Sequence, residues 1–174
     1  MLGRDLWSLD EAARQEMKLA CSVMFQFGAL YTSMNVLENI YILLKEYSGM
    51  SERSMREIAM FWLQKVGLSE NVALQYPSEL SGGMKKRVAM ARALVLSPKI
   101  LFLDEPNSGL DPSSARAFDE LVVELRDTLG VTVVMVTHDI DSICTILDRF
   151  LILQDKKIVF EGTFEQLMQM PENP

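Results

Sequence analysis

No stretch of this chain reads G-x-x-x-x-G-K-[ST], the glycine-rich loop that cradles nucleotide phosphates. Nor does any run of 18 or more apolar residues occur, and no signal-peptide pattern opens the chain. It is therefore not expected to enter or span a membrane by itself, although attachment to a membrane partner stays open. Cysteine is scarce. Cys21 and Cys144 lie far apart in apolar surroundings, ACSVMF and SICTIL, which predicts two buried, reduced thiols rather than a disulfide framework. Basic charge is also short: 17 Lys and Arg face 24 Asp and Glu, for a net charge of −7 and a pI near 4.8. That balance argues against a nucleic-acid partner, since phosphate neutralisation needs a basic stripe. Lys85-Lys86-Arg87 is a local basic cluster on a predicted helix, to be read as a solvated face or as a binding patch. Histidine occurs once, as His138.

Apolar residues are plentiful. They make up 49% of 174 residues against 24% charged, enough for one globular domain with a sizeable core. Along the chain, Ser8 and Glu11 have capping-box spacing and predict a short helix over about 9–18. ACSVMF (20–25) reads as a buried strand leading to Gln26, after which Gly28 breaks the regularity. Asn35 with Glu38 starts a helix over about 36–46, with Val36, Leu37, Ile40, Leu43 and Leu44 on one face. Ser51 caps a helix over 52–66 that Gly67 ends. The section over 24–75 is helical and rich in methionine, which reads as core filler rather than a ligand set.

From Ser97-Pro98 the rhythm becomes strand, helix, strand. KILFLD (99–104) and VTVVMVT (131–137) have the pattern of fully buried strands. Between them Asp111 and Pro112 supply an N-cap and an N1 proline for a helix ending near Gly130. A helix over about 140–147, a hairpin RFLILQ-DKK-IVF and a last helix capped by Thr163 with Gln166 complete the chain. Strands with no polar face that alternate with helices imply a parallel sheet covered on both sides, and the fold class is α/β.

The chemistry gathers in Ser78–Pro112. Asp104 and Glu105 close an apolar strand, and ligands bind at the carboxyl ends of strands in parallel α/β sheets. Two carboxylates there are costly to desolvate unless they meet a cation or a reacting water. Aspartate suits Mg²⁺, and glutamate suits proton abstraction from water, a role worth about 10²–10⁴ in rate. The plainer reading is an Asp capping the next turn and a solvated Glu. Ser81-Gly82-Gly83 opens a strong helix pattern, where glycine lets backbone N–H groups approach an anion. His138 follows one strand and Gln26 another. A lone histidine is more often structural, but this one ends the strand expected beside that of Glu105, so both could converge on one phosphate.

Together these residues resemble the nucleotide-binding subunit of an ABC transporter. Leu80-Ser81-Gly82-Gly83-Met84 is similar to the signature, and Ile100 to Pro106 to the Walker B strand. Ser108-Gly109-Leu110-Asp111 matches the D-loop, Thr137-His138-Asp139 the switch histidine, and Phe25-Gln26 the Q-loop. A finer likeness, in FQFGALY, Met84 and DKKIVFEGT, is to the ATPase of Mla-type lipid transporters. The resemblance implies a P-loop NTPase-like ABC ATPase domain with a mostly parallel sheet. A helical subdomain would cover about 27–96, and the RecA-like sheet core 20–26 and 97–174.

It further implies two such subunits sandwiching ATP. Ser81, Gly82 and Gly83 would reach the γ-phosphate held by the opposite chain, with Asp104 and Gln26 on Mg²⁺ and Glu105 on the attacking water. His138 would contact the γ-phosphate, and Asp111 would link the two sites. The partners implied are a membrane permease, a second ATPase subunit and an Mce-type substrate-binding protein, at the cytoplasmic face of the inner membrane.

One departure is large. The family's P-loop precedes the region where Met1 falls, so the chain is expected to be an N-terminally shortened domain. Such a chain would bind ATP weakly and be inactive alone, with apolar surface uncovered where the P-loop strand belongs. The alternative is a non-hydrolysing module that docks on a permease. A DNA-repair relative fits less well, because 54 residues without heptads separate Gln26 from Ser81, where such proteins carry a long coiled coil.

Overall fold

Cap residues and apolar spacing set most element boundaries. The computed structural model describes residues 2–169, divided into two compact units, Met1–Val136 and Thr137–Pro174. In the first unit, α1 runs over Glu11–Ala20 and is capped by Asp10, whose carboxylate accepts the Ala13 N–H at 2.8 Å. The expected Ser8–Glu11 box does not form. Ser8 instead ends a 3-10 turn and donates its hydroxyl to the Asp5 carbonyl, because Asp10 is an equally strong cap placed nearer the helix.

Next come β1 (Cys21–Met24), α2 (Val36–Tyr47) and α3 (Glu52–Lys65). The Asn35–Glu38 box and the Ser51 cap are both present. Val36, Leu37, Ile40 and Leu44 of α2 are buried, as are Leu63 of α3 and Val88 and Met90 of α4 (Gly82–Leu94). These side chains join the three helices in one apolar layer. Buried Asn39 pins the chain entering α2. Its side chain accepts the Tyr31 N–H and donates to the carbonyls of Tyr31, Met34 and Asn35.

Strand β2 (Ile100–Asp104), helix α5 (Pro112–Leu129) and strand β3 (Thr132–Val136) complete this unit. The sheet has the order β1-β2-β3 and is parallel throughout, with Met24 opposite Leu103 and Asp104 opposite Val136. Parallel pairing requires crossovers, and the helices supply them. Central β2 buries Leu101 and Leu103. Strand β3 was expected to be buried, yet Val134 is 43% and Val136 62% exposed. The reason is position: among the described residues β3 is an edge strand with one neighbour.

In the second unit, α6 (Ile140–Ile146) precedes an antiparallel hairpin of β4 (Phe150–Gln154) and β5 (Lys157–Gly162). Asp155 and Lys156 both have positive φ, the geometry of a two-residue type I′ turn. A capping box of Thr163 and Gln166 starts α7 (Phe164–Met168). The thiols depart from expectation. Cys21 opens an edge strand and is only half-buried, with burial pushing its thiol pKa up. Cys144 is exposed, since α6 buries the face of Ser142 and Ile146, and a residue two positions from each lies off that face.

Candidate functional site

Asp104 is the last residue of β2 and is exposed. Glu105 turns the chain away from the sheet with φ of 45°, a left-handed conformation that costs a non-glycine residue about 1–2 kcal/mol. Its N–H donates to the Val136 carbonyl at 2.9 Å, which extends the β2–β3 ladder by one step. Its carbonyl accepts the Ser108 N–H at 3.1 Å and closes the turn. Strain of this kind persists only where surrounding bonds hold it.

Gln26 stands two residues beyond β1, at the same end of the sheet. Its side-chain amide donates to the Ser108 hydroxyl at 3.1 Å, so the loop after β1 is tied to the turn after β2. Gly28 completes this loop with φ of 75°, its N–H bonded to the Phe25 carbonyl. A Cβ at Gly28 would meet the Ala89 Cβ at 3.2 Å, so glycine is what allows the loop to lie against α4.

Ser81 is the N-cap of α4, and its hydroxyl accepts the Met84 N–H at 3.3 Å. Gly82 and Gly83 form the first turn, whose N–H groups have no acceptor within the helix. Neither has a positive φ, and a Cβ on Gly82 would meet nothing within 4 Å. Glycine in a helix costs about 1 kcal/mol relative to alanine. Nothing in the chain's own packing offsets that at Gly82.

Asp111 caps α5. Its carboxylate accepts the Ser113 and Ser114 N–H groups at 3.1 Å and the Ser113 hydroxyl at 2.6 Å. Hydrogen bonds from the Ser113 and Ser114 side chains, then from their backbone, hold its pKa far below the usual carboxylate range. His138 belongs to the second unit, exposed, beside a turn in which the Asp139 N–H donates to the Thr137 hydroxyl.

Two residues of the basic cluster, Lys86 and Arg87, are turned to the chain's own carbonyls rather than to solvent. Lys86 is buried, and its ammonium donates to the carbonyls of Gln26 at 3.0 Å and Glu105 at 3.4 Å. Arg87 donates to the carbonyls of Val66 at 2.6 Å and Ala117 at 3.4 Å. Further along α4, Arg92 donates to the carbonyls of Gly28 at 2.6 Å and Ala29 at 2.9 Å, and lies over the Tyr31 ring. Sequence reasoning missed all three roles. The available signal was the spacing of Lys86, Ala89 and Arg92, which share one helix face, opposite a glycine-containing loop.

A family model described as ABC transporter matches residues 3–108. The intermembrane phospholipid transport system ATP-binding protein MlaF of Haemophilus influenzae is 37% identical over 96% of this chain, which spans 63% of that relative's length. The methionine import ATP-binding protein MetN 1 of Rhodococcus jostii is 36% identical over 98% of this chain and 50% of its own. Among solved structures, a dimeric ATP-binding cassette in a post-hydrolysis state, bound to ADP and Pi, is similar with a TM-score of 0.77. It is 32% identical, and the match covers 90% of this chain and 68% of that one. The matched region takes in the Gln26 loop, the Ser81–Gly83 turn and the Asp104–Glu105 pair, and the chain belongs to the ABC transporter family, with the fold of its ATP-binding cassette.

Proposed function

We propose that this chain supplies the signature, Walker B and switch residues of an ATP-hydrolysing subunit that energises a transporter whose cargo is a phospholipid, and that it does not hydrolyse ATP alone. The observation that carries the nucleotide part is the joining of Gln26 to the Glu105 turn through Ser108 and Lys86, at the carboxyl end of a parallel sheet. Likeness to the phospholipid-transport relative supports the cargo.

In this reading Glu105 accepts a proton from the attacking water, and its held turn keeps the carboxylate at the strand end. Ser81, Gly82 and Gly83 receive the γ-phosphate of an ATP held by the P-loop of another subunit. The open space at Gly82 supports this, since room without internal demand suits close approach by an outside anion. His138 contacts the γ-phosphate, and Asp111 links the two sites of a dimer. Helices over about 27–96 act as the subdomain that carries the signature, and 20–26 with 97–174 as the sheet core.

The donor set at Asp104 and Gln26 fits Mg²⁺. Both supply oxygen, and among the described residues no cluster of three or more His, Cys, Asp or Glu side chains offers a protein-only cage. Magnesium keeps several waters and takes phosphate oxygens, so one carboxylate and one carboxamide suffice. Asp104 and Gln26 would hold Mg²⁺, which when bound would supply neutralisation of charge developing on the phosphates.

The same loop is the proposed contact with a membrane permease, alongside an Mce-type partner at the cytoplasmic face of the inner membrane. Phe25 and Phe27 are exposed, and Phe25 also lines a cavity of about 530 Å³ with Tyr31, Leu43, Tyr47 and Arg92 among others. No helix among the described residues is long and apolar enough to cross a membrane, which agrees with peripheral attachment.

The test is ATP hydrolysis by the transporter assembly containing this chain, with E105Q beside the wild type. Loss of the general base should lower kcat by about 10²–10⁴. A wild-type assembly that binds the permease but turns over no ATP would replace this reading with that of a non-hydrolysing docking module.

A further inference from the structure

We propose that Lys86 is a positioning residue that locks the Gln26 loop, the signature helix and the Glu105 turn into one body, so that Glu105 is aimed from the loop. The inference rests on the nucleotide reading above and assigns a task to a residue outside the set that would touch ATP.

Lys86 has one twentieth of its surface exposed. A buried ammonium is tolerated only when its donors are satisfied, and it has three. Two of its acceptors lie on different segments of the chain, the carbonyl of Gln26 after β1 and the carbonyl of Glu105 after β2. Burial draws the Lys86 pKa down, and the nearby charge of Glu105 draws it back up, so the carboxylate supports the charged ammonium.

The Glu105 end gives the contact its consequence. This residue is held in a left-handed conformation that its side chain resists, and its carbonyl is shared between the Ser108 N–H and Lys86. Fixing that carbonyl fixes the peptide plane after Glu105, and with it the direction in which the carboxylate leaves the strand.

At the other end, the loop rides on the Lys86 face of α4. Ala89 meets Gly28, and Arg92 takes the carbonyls of Gly28 and Ala29. Gln26 returns the connection through its own amide to Ser108. A displacement of the loop therefore has two short routes to the Glu105 turn, and the one through Lys86 also passes through the signature helix.

Amide hydrogen exchange of the chain, wild type against K86M, reads this directly. Loss of the ammonium should speed exchange about tenfold at both the Gly28 and Ser108 amides, the scale of one lost buried hydrogen bond, while α2 amides stay unchanged. R92M is the control and should loosen the Gly28 amide alone. Should K86M loosen α2 as well, K86R is scored at the same sites, because it keeps the charge but spreads its donors over a planar fork. Acceleration confined to one of the two segments, or uniform across the unit in both variants, overturns the proposal.

In the ATP-hydrolysing assembly, K86M should lower kcat about tenfold or more with KM for ATP nearly unchanged, as for a misaimed base. An unchanged kcat contradicts it. A wild-type assembly without turnover defeats the nucleotide reading instead, and the exchange measurement still decides Lys86.

Discussion

Hydrogen bonds from Ser113 and Ser114 converge on the carboxylate of Asp111, and each favours its charged form. Its folded pKa therefore lies below the unfolded value of about 3.9. The resulting stabilisation is complete above that value and is lost as pH falls through the folded one. D111A should lower the thermal midpoint at pH 7, and the gap to wild type should narrow as pH drops below about 4. Melts followed by circular dichroism at pH 7 and pH 3 check this, and a gap independent of pH would mean that the charge is not what caps α5. Gly28 is a second point where one atom matters. G28A combines a left-handed backbone with a close approach to Ala89, and should cost about 1–2 kcal/mol in denaturant unfolding.

At the scale of elements, the two strands that run side by side should respond oppositely to substitution. Leu103 of β2 is buried, and L103A should cost about 2–5 kcal/mol. Val136 of edge strand β3 is largely exposed, and V136K should change stability by less than about 0.5 kcal/mol while reducing light scattering on storage. Equal losses at both positions would show that β3 is covered in solution. This contrast was not legible in the sequence. KILFLD and VTVVMVT have the same pattern, and what separates them is the number of neighbours each strand acquires. Caps were legible, because Asn35 with Glu38, Ser51, Asp111 and Thr163 with Gln166 act within one helical turn. Ser8 misled because Asp10 competes at two residues' distance. The burial of Lys86 depends on which face of α4 meets the Gln26 loop, a relation between segments 60 residues apart. Motif residues announce themselves by type and order, whereas the side chains that hold them do so only once the chain is folded.

For the molecule as a whole, the family and the parallel sheet are shown by sequence and structure together. The chain spans 63% of the length of the phospholipid-transport relative it matches, and its 174 residues contain no P-loop motif. In the proposed reading Asp104, Glu105 and Gln26 serve one side of a nucleotide and Ser81 to Gly83 another, so affinity for ATP would come from a P-loop that these residues do not include. The most direct measurement is an equilibrium titration of a fluorescent ATP analogue, with Mg²⁺, into this chain alone. The expected result is no saturable binding up to about 100 µM, because the cradle that supplies most of the phosphate contacts is not in this sequence. Saturable binding with a Kd near 1 µM would contradict it, and would mean that Ser78–Pro112 and its supporting loop form a complete nucleotide site by themselves.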